Sequence, residues 1–237
     1  MREDVVRAGA RRRHLTSLIV VLSVIAVGLL TYVAARATPS TAASAAATYG
    51  YLNRSTGIVA LVLLTLVVVL GVLNVSRFDT PRWPRFVIDG LHRRVALLAV
   101  SFTTLHVVTT VLNGYAPISL LYAVIPIHSA YLTPWLGVGA VGFDLLLAVL
   151  ITSLVRARLG YRLWRAIHWL TYAVWAISIA HTLGLGNDLI AGHVWMFVIT
   201  WACVGAAVAA VAARVAWTVR PPVGRRGARA SSTASSR

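Results

Sequence analysis

The chain contains no lysine and only six acidic residues, so all 22 of its basic residues are arginine. Charged residues make up 12% of the chain and hydrophobic residues 59%, with a mean hydropathy of +0.80. So little charge in so apolar a chain excludes an ordinary soluble domain and indicates a polytopic membrane protein. The net charge of +16 does not predict a nucleic-acid partner, because the arginines cluster between apolar segments instead of along one solvated face.

Cysteine is also nearly missing. Cys203, the only cysteine, lies in an apolar stretch. One cysteine can form neither an internal disulfide nor a thiolate cluster, which excludes cysteine ligation of a cofactor. The sequence likewise shows no combination of residues typical of a hydrolase active site, so hydrolytic chemistry is not expected.

Six apolar segments are each long enough to cross the roughly 30 Å hydrocarbon core of a bilayer. They lie near residues 15–35, 57–75, 91–112, 136–155, 163–183 and 194–217. The predicted fold class is all-α, a polytopic six-helix transmembrane bundle. Residues 38–48 are small and polar and predict a flexible external loop. A cleaved signal peptide is the alternative interpretation of the first segment.

Arginines concentrate on alternate connections between these segments. They lie in the N-terminal tail, between the second and third segments, between the fourth and fifth, and in the C-terminal tail. The other connections are nearly neutral, and residues 113–134 carry no charge. Because basic loops stay in the cytoplasm, this pattern predicts a multi-pass protein of the cell membrane with both termini cytoplasmic. The same arginines favour contact with anionic membrane lipid.

Four histidines lie inside two of the apolar segments. The third segment contains His92 and His106, and the fifth contains His168 and His181 at nearly the same spacing. A titratable imidazole is costly in hydrocarbon, which marks such residues as functional. With a rise of about 1.5 Å per helical residue, each separation is about 20 Å, too far for one metal ion to bridge. The spacing therefore predicts two sites at two depths, each with one histidine from each helix.

In the oriented bundle both helices run outward, so His92 faces His168 near the cytoplasm and His106 faces His181 near the outer surface. Two facing imidazoles are the axial ligands of low-spin b-type haem. We therefore predict two such haems between the helices formed by the third and fifth apolar segments. On a regular helix His168 and His181 are roughly 140° apart, which predicts a π-bulge, a bend, or haems approached from different sides. Core histidines hydrogen-bonded between helices are the alternative.

The histidine spacings, their order and the block TSLVRARLGYRLWRAIHWLTY at residues 152–172 resemble the ferric reductase-like transmembrane domain family. That family includes the membrane parts of ferric reductases and NADPH oxidases, and the stand-alone haem subunit of the bacterial methionine sulfoxide reductase system. We divide the chain accordingly into a cytoplasmic basic tail (1–14), a first helix with its external loop (15–56), a haem-binding transmembrane domain (57–217) and a disordered basic cytoplasmic tail (218–237).

The resemblance implies that two b haems are ligated through their irons by four histidines, His92, His106, His168 and His181. Four arginines lie where guanidinium groups can pair with the propionates of the inner haem, namely Arg93, Arg94, Arg162 and Arg165. Positive-inside topology alone is the alternative explanation of these arginines. Candidate neighbours of the outer haem are Asn113, Tyr115 and Trp135.

Family members of the reductase and oxidase type continue into a cytoplasmic flavin and nicotinamide domain. Here about 20 mostly polar residues follow the last apolar segment, so we expect no flavin or NAD(P) site in this chain. The predicted function is a transmembrane electron-transfer subunit of an oxidoreductase. Its donor would be a separate flavoprotein reductase or a quinol, and its acceptor an external protein, ferric complex or oxygen. A quinone-linked cytochrome b anchor of a dehydrogenase or hydrogenase, and a haem-free transporter or scaffold, are the alternatives.

Overall fold

The computed structural model describes residues 42–76, 85–113, 134–185 and 192–219, and the regular structure within them is helical. The four long helices are α1 (Ala42–Val75), α2 (Arg85–Leu112), α3 (Pro134–Leu154) and α7 (Val194–Val219). Three shorter helices lie between α3 and α7, namely α4 (Arg156–Leu159), α5 (Tyr161–His168) and α6 (Leu170–Leu185). The segment predicted at 15–35, the tail 1–14, Tyr115 and the tail beyond 219 lie outside the described residues.

Each long helix contains a stretch that is long and apolar enough to cross a membrane. These stretches are Thr48–Val75, Phe86–Leu112, Pro134–Leu154 and Val194–Ala216. They correspond to the second, third, fourth and sixth segments predicted from the sequence. Large apolar side chains on their outer faces are exposed, such as Phe197, Trp201 and Val208 on α7, which suits helices surrounded by lipid.

The beginning of α1 differs from the sequence prediction. The loop expected at 38–48 is helical from Ala42 onward, so α1 is continuous across the boundary placed between residues 56 and 57. Alanine is the strongest helix former, and this stretch is rich in it. With 34 residues, α1 is about 51 Å long and extends beyond the hydrocarbon core at one or both ends.

The predicted fifth segment is interrupted at Trp169 and forms two helices, α5 and α6. The Trp169 amide donates to the Arg165 carbonyl at 3.2 Å, and the Tyr172 amide donates to the Trp169 carbonyl at 3.1 Å. Because the second bond spans three residues instead of four, the chain is wound more tightly here than in an α-helix. Tighter winding rotates His181 in the direction that reduces the roughly 140° gap to His168. The observed irregularity is thus a tightened turn directly after His168 and not the π-bulge named from the sequence, which would wind the chain more loosely.

Helices α1 and α3 flank the three helices that carry the histidines, α2, α5 and α6. Helix α1 packs along α2 and also contacts α6 and α7, while α3 packs along α6 and contacts α5. The buried cluster at the centre contains Leu64, Val67, Ala99, Val100, Leu146 and Val174. One polar contact joins α6 to α1 beside this cluster, because Trp175 Nε1 donates to Thr65 Oγ1 at 3.0 Å. Ala99 and Val100 of this cluster lie between the two histidines of α2, and Val174 lies between His168 and His181. An apolar layer therefore separates the two histidine levels.

Candidate functional site: two pairs of facing histidines

The four histidines meet in two pairs. The rings of His92 and His168, the first pair, have centroids 6.3 Å apart and planes at 68°. The rings of His106 and His181, the second pair, have centroids 6.4 Å apart and planes at 83°. These are the partners that the sequence predicts, with one histidine in each pair contributed by α2. The interrupted fifth segment supplies the other, from α5 in the first pair and from α6 in the second.

In the second pair, His106 is held by α1. Its Nδ1 lies 2.9 Å from the backbone oxygen of Asn53, and since a carbonyl only accepts, Nδ1 must carry the proton. One helical turn further along α1, a Cβ at Gly57 would lie 2.9 Å from the same ring. The hydroxyl of Thr110 lies 2.8 Å from the side-chain oxygen of Asn53 and strengthens the same contact between α1 and α2. The ring is thus oriented with Nε2 unprotonated and available as a ligand.

His181 is held in the same way by α3. Its Nδ1 lies 2.7 Å from the backbone oxygen of Trp135, and a Cβ at Gly139, one turn later, would lie 2.5 Å from Nδ1. The indole of Trp135 also packs against Gly184, where a side chain would overlap it. The sequence suggests Trp135 as a neighbour of the outer site. In the structure it contacts His181 of the second pair through its backbone carbonyl. Asn113 lies farther along α2, beside Gly50, where a Cβ would lie 3.7 Å from its side-chain oxygen.

The first pair is held differently. On α1 the Val67 carbonyl faces the His92 ring and Gly71 lies one turn later, with a Cβ position 3.5 Å from Cε1 of His92. No regular hydrogen bond forms, however, because the buried Nδ1 atoms of His92 and His168 have no partner among the described residues. His168 instead stacks on Trp164, with ring centroids 5.0 Å apart and planes at 25°.

The predicted arginines lie on the helices that carry the first pair. The four are exposed at the surface: Arg93 and Arg94 on α2, and Arg162 and Arg165 on α5. Arg165 contacts Tyr161, with a nitrogen 3.4 Å from the phenol oxygen. A further arginine lies beside Trp164, the indole on which His168 stacks. The guanidinium carbon of Arg156 is 5.4 Å from the centre of the Trp164 ring.

The family model of the ferric reductase like transmembrane component matches residues 56–179. The chain belongs to this family. The matched region of the ferric reductase-like domain contains His92, His106 and His168 and ends just before His181. Together with the four apolar helices, it identifies a multi-pass membrane protein. No match to the chain is found among curated proteins or among solved structures.

Ferric reductase-like domains generally bind haem, and the spacing of the histidine rings fits that cofactor. An imidazole nitrogen lies about 2.0–2.1 Å from a bound metal, and the ring centre about 1.1 Å behind the nitrogen. Two rings on opposite sides of one iron therefore have centres about 6.3 Å apart. The separations here are 6.3 and 6.4 Å. Two imidazoles also supply the number of ligands that an iron porphyrin leaves open.

The glycines behind the histidines are functional residues that sequence reasoning does not identify. The interval from Gly57 to Gly71 on α1 equals the interval from His92 to His106 on the helix they face, in the opposite order. That equal spacing on neighbouring apolar segments is a detectable signal. A Cβ at Gly57 would enter the space of the His106 imidazole, whereas a Cβ at Gly71 would make an ordinary contact of 3.5 Å with His92.

A second glycine pattern in this ferric reductase-like domain has a misleading form. Gly137, Gly139 and Gly142 have the spacing G-x-G-x-x-G, which in dinucleotide-binding folds lies between a strand and a helix. Here all three lie inside α3. Gly139 faces His181, and a Cβ at Gly142 would lie 2.9 Å from a methyl group of Ile177 on α6. In this chain Gly139 and Gly142 allow α3 to pack against α6, whereas a Cβ at Gly137 would meet nothing within 4 Å.

Proposed function

We propose that this chain is a transmembrane di-haem b electron-transfer protein that moves electrons from the cytoplasmic side to an acceptor on the outer side. His92 and His168 would hold the inner haem, and His106 and His181 would hold the outer haem. The segment at 15–35 completes a six-helix bundle, with both termini cytoplasmic. The arrangement of arginines along the sequence supports this orientation.

The observation that carries the proposal is the geometry of the two pairs. Each pair has the ring separation of two imidazoles that share one iron. Along α2, the helical rise from His92 to His106 separates the two levels by about 21 Å. Core histidines that contact each other between two helices would account for one such pair. They would not account for two pairs at two depths with nearly the same distance between ring centroids.

The chain's own residues would hold, orient and insulate the cofactors. A b haem accepts and releases one electron at its iron. Nε2 of each histidine is the ligand atom, and the carbonyls of Asn53 and Trp135 fix the rings of the outer site and raise the basicity of their nitrogens. The apolar cluster around Leu64 and Val174 keeps water out of the layer between the sites. No general base or nucleophile is required.

The proposed orientation places the electron donor at the cytoplasmic face or in the membrane and the acceptor on the outer side. The donor is a separate flavoprotein reductase at the cytoplasmic face or a membrane quinol, and the acceptor is an external protein, ferric complex or oxygen. The exposed arginines Arg93, Arg94, Arg162 and Arg165 lie on the helices that carry the inner ligands, where pairing with haem propionates stays a prediction. Anionic lipid is a further partner of this basic face.

The test is the haem content and spectrum of the purified chain. We expect b-type bands in the reduced-minus-oxidised spectrum and about two haems per chain. His92→Leu and His168→Leu should each remove one haem, and His106→Leu and His181→Leu should each remove the other. His193→Leu, at a histidine outside both pairs, is the control and should retain both. A chain that takes up no haem on haem-supplemented expression would contradict the proposal and favour a haem-free transporter or scaffold.

A further inference from the structure

The two proposed haem sites differ in how their ligands are oriented. Both rings of the outer site bond to a backbone carbonyl through Nδ1. Neither ring of the inner site has such a bond within the described part of the chain. A metal-bound histidine normally has a partner for its second nitrogen, which fixes the orientation of the ring. His92 at least faces the Val67 carbonyl, so His168 is the ligand for which another orienting group is needed.

Trp164 is positioned to orient His168. The two residues are four apart on α5, so their side chains lie on the same face one turn from each other. Their planes are 25° apart and their centroids 5.0 Å apart, a stacked arrangement in which rotation of the imidazole would lose contact with the indole. Trp169, on the other side of His168, contacts Tyr172 instead, with ring centroids 5.7 Å apart.

A cation completes this cluster. Gly160 separates α4 from α5 and has a φ of 73°, a backbone conformation that glycine adopts without steric cost. The turn places the guanidinium carbon of Arg156 5.4 Å from the Trp164 ring centre, within the range of a cation–π contact. Arg156, Trp164 and His168 thus form one contiguous cluster, the Arg156 cluster, at the cytoplasmic end of the proposed inner site.

The Arg156 cluster contains an unused hydrogen-bond donor. Trp164 Nε1 is buried and has no partner among the described residues. A buried donor without an acceptor costs about 1–3 kcal/mol, so packing alone is a poor reason for an indole at this position. A phenylalanine would stack equally well without that cost. An N–H donor beside a guanidinium is instead a suitable site for a carboxylate.

Building on the function proposed above, we propose that Trp164 has two roles at the inner site. Its ring positions His168, in the place that a backbone carbonyl takes at the outer site. Its Nε1–H, together with the Arg156 guanidinium, binds a carboxylate of the inner haem. Arg156 rather than Arg162 or Arg165 is then the main partner of that carboxylate. Trp164 is a positioning and binding residue and takes no part in electron transfer as a ligand.

The test compares variants of the full chain in lipid nanodiscs. Trp164→Leu removes the stack and the donor, Trp164→Phe removes only the donor, and Arg156→Gln removes the cation. Trp169→Leu and Arg158→Gln are matched controls on the same segment and lie outside the Arg156 cluster. The measurements are haem per chain, the two midpoint potentials and the EPR signals of the ferric haems. His92→Leu, which retains only the outer haem, assigns the signals to the sites.

Each variant has a distinct expected result. Trp164→Leu should weaken inner haem retention by roughly 10- to 100-fold, as loss of a supporting partner does in metal sites, or change the inner EPR signal. Trp164→Phe should keep the inner EPR signal, because the stack remains, but lower the inner midpoint potential. Arg156→Gln should lower it too, because the reduced haem carries one more negative charge and loses a stabilising cation. The outer haem should be unchanged in all three and reports that the chain is folded.

Several outcomes would overturn the inference. If Trp164→Leu matches Trp169→Leu in all three measurements, Trp164 does not position His168. If Trp164→Phe and Arg156→Gln both leave the inner potential unchanged, no carboxylate is bound there. Loss of the outer haem together with the inner one would show a folding effect and refute a specific role. A wild-type chain with two haems whose Trp164 and Arg156 variants behave as the controls do overturns this inference alone, whereas a wild-type chain with fewer than two haems overturns the proposed function as well.

Discussion

Gly139→Ala is the substitution for which the structure makes the sharpest prediction. The new methyl group would lie 2.5 Å from Nδ1, 2.6 Å from Cε1 and 3.2 Å from Cγ of His181. Ordinary contacts begin at 3.4 Å, so the ring must retreat from α3 by about 1 Å. The bond from Nδ1 to the Trp135 carbonyl, now 2.7 Å, would lengthen to about 3.7 Å and cease to be a hydrogen bond.

The size of the effect follows from two losses. Overpacking of a filled interior costs about 1–3 kcal/mol, and loss of the hydrogen bond that orients a metal ligand lowers metal affinity by about 10- to 100-fold. Since a tenfold change in affinity corresponds to about 1.4 kcal/mol, the two figures agree in magnitude. We therefore expect the outer haem of Gly139→Ala to be retained roughly 10- to 100-fold more weakly. The inner haem, about 20 Å away along the helices, should be retained as in the wild type.

The assay is titration of haem-depleted protein with haem, followed by the absorbance of the two sites. Gly137→Ala is the matched control, because it lies on the same helix and a Cβ there meets nothing within 4 Å. Alanine is the better helix former by about 1 kcal/mol, so this control should be neutral or slightly stabilising. Equal haem affinity of the two variants would refute the conclusion that Gly139 makes room for the His181 ring.

Further predictions concern α1. Gly57→Ala should weaken the outer site as Gly139→Ala does, because its Cβ position is 2.9 Å from the His106 ring. Gly71→Ala should leave haem titration of the inner site nearly unchanged, because its closest contact is an ordinary 3.5 Å. Thr65→Val removes the acceptor of the Trp175 N–H. It should lower the free energy of unfolding by about 1–3 kcal/mol in thermal denaturation while haem content per chain stays constant. Reduced haem content in Thr65→Val would contradict a purely structural role of that bond.

Much of the arrangement of the histidines could be predicted from the sequence. Apolar length and arginine placement orient the helices, and orientation brings His92 to the level of His168 and His106 to that of His181. Helical phase also indicates a distortion between His168 and His181, because their separation is not a whole number of helical turns. The form of the distortion, a tightened turn after His168, depends on local backbone hydrogen bonds that a hydropathy pattern does not encode.

The supporting residues are harder to predict. Proximity in sequence assigns propionate pairing to four arginines near the inner histidines, and that assignment stays a prediction. The contact of Arg156 with Trp164 across the turn at Gly160 is visible only in the structure. Proximity along the chain says little about which guanidinium lies near a given ring, because the reach of a long side chain depends on the path of the backbone at the turn. The early start of α1 escapes prediction because small and polar residues near position 42 resemble a loop, although alanine favours a helix.

The sequence by itself determined that this is a membrane protein, which apolar segments carry the histidines, and how the histidines pair. Those properties follow from hydropathy and helical rise, which depend on residues a few turns apart in one chain segment. Only the tertiary structure decided what stands behind each imidazole: a carbonyl with a glycine one turn later in the outer pair, and the Trp164 ring at His168. Such contacts depend on how neighbouring helices are rotated and how closely they approach, and these quantities are set by packing between segments distant in sequence.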